Sequence, residues 1–113
     1  MSERQLDISP DVLFGIAQLA LDELDGIGPI TPAARMGEIL TGRRAKGISV
    51  EREGDALRFR LSVRVRYGLP IPELARSAQR AVREAVSSMT GLTVETVDVS
   101  VEAIDVPGEL QGG

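Results

Sequence analysis

The chain has no cysteine and no histidine. The first absence excludes a disulfide framework, a thiolate nucleophile and a thiolate metal centre. The second removes the commonest general base and the imidazole metal ligand. Carboxylates remain as ligands for a hard cation, but no loop carries them at calcium-loop spacing. There is no tryptophan, one tyrosine and two phenylalanines, so the core must be built from aliphatic side chains and alanine. No apolar run approaches the roughly 20 residues of a membrane-spanning helix. Nothing behind Met1–Gln5 has the apolar stretch of a secretory signal. A phosphate-cradling glycine loop, a paired-carboxylate motif and a nucleophile elbow are also missing. These absences predict a cytoplasmic protein that is not an enzyme, with no catalytic residues, no cofactor and no metal.

What is present suits one small domain. The 113 residues are 42% hydrophobic and 27% charged, enough to close a core without staples. That domain is expected over residues 1–106, with a disordered tail at 107–113. The net charge of −4 makes generic nucleic-acid binding a poor expectation, because phosphate contacts dominate that affinity. Twelve of the thirteen basic residues are arginine, Lys46 being the exception.

Periodicity supplies the elements. Leu6–Ile8 reads as a short strand. Ser9 and Pro10 then open a helix expected over residues 10–25, with Leu13, Ile16, Ala17, Ala20 and Leu24 at helical spacing and Gly26 as its stop. Ala33, Met36, Ile39 and Leu40 suggest a short amphipathic helix inside a long connection. That connection ends in the basic run Arg43, Arg44 and Lys46, a candidate contact for phosphate or lipid headgroups. Ile48 to Glu53 alternates like a strand, and Gly54-Asp55 turns it back into a hairpin. A second helix follows Gly68-Leu69-Pro70, with a stripe from Ile71 through Ala78, Val82 and Val86 to Met89 and a left-handed stop at Gly91. The last strand spans Leu92 to Val106, and a phase change near Glu95-Thr96 calls for a bulge.

The strand from Leu57 to Tyr67 carries the clearest pattern. Leu57, Phe59, Leu61, Val63 and Val65 share one face. Arg58, Arg60, Arg64 and Arg66 share the other with Ser62. Tyr67 is expected to close the core, and Gly68 to permit the turn after it. Two amphipathic helices and three or four strands predict an α/β protein of the two-layer α+β kind. In it a small, mostly antiparallel sheet carries both helices on one face, in the order β-α-β-β-α-β. The arginine face then stays open. Glu51 and Glu53 on one neighbour, and Asp98, Ser100 and Glu102 on the other, would balance its charge. The four arginines, with Arg43, Arg44 and Lys46, are the candidate interaction surface. The bland reading is a solvated salt-bridge lattice; the sharper ones are a protein interface or, without aromatic stacking groups, a weak nucleic-acid platform.

From Gly47 onward the order of motifs resembles a known family. Lys46-Gly47-Ile48-Ser49-Val50 precedes Val63-Arg64-Val65-Arg66-Tyr67-Gly68, then Pro70-Ile71-Pro72-Glu73, Met89-Thr90-Gly91-Leu92 and Val97-Asp98-Val99-Ser100-Val101. With Leu6-Asp7-Ile8-Ser9-Pro10-Asp11-Val12 and Asp25-Gly26-Ile27, the chain is similar to the alkaline shock, or envelope stress response, proteins over roughly residues 6–105. The resemblance implies a bacterial, non-catalytic protein linked to envelope or alkaline stress homeostasis. It implies self-association, and attachment at the inner face of the cell membrane through a membrane-associated protein partner. The 28–46 segment fits the family pattern only loosely.

Overall fold

The computed structural model describes residues 7–30 and 47–106. Helix α1 spans Pro10–Asp22. Ser9 occupies its N-cap in an extended conformation without a side-chain cap, and the Ser9 carbonyl accepts from the Val12 amide at 3.0 Å. The helix ends before the expected residue 25. The Leu24 amide bonds the Leu21 carbonyl in a closing turn. Gly26, at φ +89°, then swings the chain into the sheet, where its carbonyl accepts from the Arg66 amide at 2.8 Å.

Strand β1, Ile27–Pro29, runs antiparallel to the C-terminal half of β3, Ala56–Arg66, with Ile27 opposite Val65. Strand β2, Ile48–Glu53, runs antiparallel to the N-terminal half of β3, with Ile48 opposite Leu61. The two short strands therefore lie in line along one side of β3, joined through Ser62. The Ile30 amide donates to the Ser62 carbonyl at 2.8 Å, and the Ser62 amide donates to the Gly47 carbonyl at 2.7 Å. Together they form one edge strand, interrupted between Ile30 and Gly47. Residues 31–46, including the expected helix at Ala33–Leu40 and the run Arg43, Arg44 and Lys46, lie outside the described residues, as does the tail 107–113.

Helix α2, Ile71–Thr90, closes on Gly91 at φ +78°, as its sequence demands. It carries the chain back along β3, so β4, Thr93–Asp105, pairs with β3 in parallel; parallel neighbours require such a crossover. Two strand pairings are antiparallel, and the longest is parallel. The expected bulge is present, with Glu95 the extra residue between Val94 and Thr96. A second, unanticipated bulge makes Glu102 extra between Val101 and Ala103.

The α+β fold, with four strands and two helices on one face, is as expected. The opening strand at Leu6–Ile8 is not: Asp7–Ser9 are outside any strand. Ile8 packs half-buried against the core, and β1 supplies the fourth strand after α1 instead. The core holds Leu57, Phe59, Leu61, Val63 and Val65 of β3 between Leu13, Ile16, Ala17 and Leu21 of α1 and Ala78, Val82 and Val86 of α2. Among the described residues no polar side chain is buried. Tyr67 does not close this core; it is 59% exposed. Its amide still bonds the Asp105 carbonyl, but Gly68, at φ +94°, turns the chain away. Met89, assigned to the buried stripe by spacing, is also exposed.

Candidate interaction face of the sheet

The helices cover one face of the sheet, and the other is open. Along β3 the burial alternates without a break: every aliphatic residue from Leu57 to Val65 is buried, and Arg58, Arg60, Arg64 and Arg66 are exposed. The period of two puts all four guanidiniums on the open face, about 7 Å apart along the strand within each pair.

Three of the four are paired. Arg58 reaches Glu95 at 2.9 Å and Glu53 at 3.3 Å. Arg64 grips Asp105 in a bidentate fork, with Nε 3.1 Å from both carboxylate oxygens and Nη2 2.8 Å from one. Arg66 bonds Asp25 at 2.8 Å. Between them the Ser62 and Ser100 hydroxyls donate to Glu102 at 3.1 Å each. The hydrogen bond from Arg64 holds the Asp105 carboxyl below its ordinary range. In return Asp105 raises the Arg64 guanidinium, as Glu95 raises that of Arg58. Arg60 alone makes no ion pair among the described residues. It stands in register between Ser49 and Asp98 and lines an open groove of about 290 Å³ with Gly47, Ile48, Ser49 and Ser62. A second groove of about 300 Å³ has Gly26, Ile27 and Gly28 on its floor and Arg64, Arg66 and Asp105 on its walls.

Charge balance across strands is therefore real, but of the four expected acidic partners only Glu53 pairs with an arginine. Glu53 plays its expected part. Glu51 is in register with Arg58 without bonding it. Asp98 and Glu102 reach no guanidinium, while Glu95, Asp105 and Asp25 do. The bulges explain the exchange. In an unbroken strand, Glu95 and Asp98 would face opposite sides, as would Glu102 and Asp105. Each bulge absorbs one residue and brings both members of the pair to the open face. The second bulge had a sequence signal: the aliphatic series Val97, Val99, Val101 resumes three residues on, at Ile104.

Among the described residues no cluster of acids could hold a metal, and no helix is long and apolar enough to cross a membrane. Arg58, Arg60, Arg64 and Arg66 are brought onto one surface.

Known proteins with similar sequences extend along most of the chain. The uncharacterised protein YqhY of Bacillus subtilis is 26% identical over 115 aligned positions, covering 95% of this chain and 82% of its own. The uncharacterised protein YloU of the same organism is 28% identical, covering 90% and 89%. Spy1535 of Streptococcus pyogenes is 25% identical, covering 88% and 78%. Among solved structures, the MamM CTD in a cadmium form superposes with a TM-score of 0.53 at 18% identity, over 84% of this chain and 96% of that one. That likeness is one of fold. The alkaline shock protein 23 family, described by a cell envelope-related function, matches residues 1–106, and the chain belongs to it.

Proposed function

We propose that the protein is a non-catalytic interaction module of the cell envelope, which docks to a membrane-associated protein partner through the open face of its sheet. One observation carries this reading. Among the described residues nothing covers the second sheet face, yet it is held in order by cross-strand ion pairs, with Arg60 at its centre lacking one. Charged side chains fixed by neighbours are pre-organised for a partner, because their ordering entropy is spent before binding. The run Arg43, Arg44 and Lys46 precedes in sequence Gly47, which lines the same groove as Arg60, and we assign it a supporting contact with the same partner. A second copy of the chain is the other protein occupant this face could take. Nucleic acid fits less well: the arginines are flanked by more carboxylates than they can neutralise, and the face has no aromatic ring to stack a base.

Arg60→Glu tests the proposal without dismantling the lattice, since Arg60 contributes no ion pair among the described residues. The variant is expected to stay folded, with its melting temperature lowered slightly by the like charge of Asp98 opposite, and to lose partner capture from envelope extracts, together with any self-association seen by sedimentation. Capture and sedimentation identical to the parent protein would overturn the reading.

A further inference from the structure

Among the described residues, the outer edge of β4 has no neighbouring strand. A strand residue sends its N–H and C=O to the same side, and successive residues alternate. Thr93 donates to the Asp55 carbonyl and Asp105 accepts from the Tyr67 amide, so both turn toward β3. Counting between them, with one residue absorbed at each bulge, leaves Val94, Val97, Val99, Val101 and Ile104 turned outward. The carbonyl of Val97 is capped by the Gln79 side chain of α2 at 3.0 Å. From Val99 to Ile104 no such cap exists among the described residues. The aliphatic side chains here also run out from under the helices: Val97 is buried, Val99 and Val101 are half-buried, and Ile104 is 50% exposed.

The other face of the same stretch is acidic. β4 holds four carboxylates and no cation. Glu95 and Asp105 are neutralised by Arg58 and Arg64; Asp98 and Glu102 have no guanidinium. A strand added here would meet aliphatic side chains on one face and unneutralised carboxylates on the other. We propose that the free edge of β4 between Val99 and Ile104 takes up an extended segment of a partner protein in which basic residues alternate with aliphatic ones. Main-chain hydrogen bonds would supply affinity, and the alternation would supply selectivity. A second copy of β4 is a poor occupant, because pairing this stretch with itself sets Asp98, Glu102 and Asp105 of one copy among those of the other, and like charges across strands repel. The proposal rests on the protein being an interaction module, and it adds a site and a partner chemistry to that reading.

The test uses the full chain and three peptides: one alternating arginine and valine, one of the same composition with the arginines in a block, and one alternating glutamate and valine. Binding is measured by fluorescence anisotropy, and hydrogen exchange of individual amides by NMR. The alternating basic peptide is expected to bind and to slow exchange at Val99, Val101 and Ile104. Asp98→Lys combined with Glu102→Lys should weaken it roughly tenfold, as two cross-strand charge pairs would. Equal binding of the block or the acidic peptide would overturn the proposal. So would protection elsewhere in the sheet, or concentration-dependent protection of the same amides without peptide, which would place a second copy on the edge. Arg60→Glu separates the two readings: if it abolishes partner capture while the alternating peptide leaves β4 untouched, the open face stands as the docking surface and the edge site falls.

Discussion

Gly47 shows how much one residue can hold. It sits at φ +70°, and a Cβ there would lie 2.7 Å from the Ile30 carbonyl oxygen and 2.8 Å from that of Ser62. Neither oxygen can yield, because Ser62 is bonded to both ends of the interrupted edge strand. Gly54 has a similar φ, +62°, but nothing within 4 Å of its missing Cβ. The pair separates backbone strain from collision. Gly54→Ala is expected to cost about 1–2 kcal/mol for the left-handed conformation alone. Gly47→Ala should cost clearly more, about 3 kcal/mol or above, and loosen the junction of β1 and β2. Urea unfolding of both variants measures the difference, and amide exchange at Ile30 and Ser62 reports the junction.

At the scale of the element, the bulges of β4 decide which carboxylates face the arginines. Deleting Glu102 would remove the extra residue and leave strict alternation, with Val101, Ala103, Ile104 and Asp105 still in register with Val63 to Arg66. Asp105 then stays on the open face beside Arg64, and only the Ser62 and Ser100 bonds to Glu102 are lost. The expected outcome is a folded protein that keeps the Arg64 to Asp105 pair, with its melting temperature lowered by no more than about 5 °C. A melting curve and the Arg64 Nε–H hydrogen bond by NMR check it; loss of that bond would mean that the strand had slipped to another register. β3 needs no such device, because its alternation already agrees with burial on one face and charge on the other.

For the whole molecule, the cation inventory decides the pH response. Twelve of thirteen basic residues are arginine, which stay charged to about pH 12, so the sheet-face pairs persist under alkaline conditions. The acid side differs. Asp105 is held below the ordinary carboxylate range by Arg64, so its contribution is complete above the unfolded-state value of about 3.9 and is lost as pH falls through the lower folded-state value. Thermal stability should therefore be flat from about pH 7 to 10 and fall below about pH 4. Asp105→Asn should shallow that acid limb and leave the alkaline side unchanged, as differential scanning calorimetry across pH would show.

The sequence by itself determined the parts whose signal is local. The alternation from Leu57 to Val65, the stripe of Ala78, Val82 and Val86, and the left-handed stop at Gly91 each follow from periods of 2 and 3.6 residues or from one residue's allowed φ. So did the open arginine face, because a strand buried on one side must show the other. Tertiary structure decided what depends on pairing between distant segments. Ile27–Pro29 is too short to carry a pattern, and only β3 makes it a strand. Tyr67 looked like the end of an apolar series until Gly68 turned the chain outward. The partners Asp25, Glu95 and Asp105 were assigned by a turn and two bulges, whose register is set by hydrogen bonds to β3 rather than by neighbours in sequence. Which carboxylate meets which arginine, and which are left over for a partner, is fixed only when the strands align.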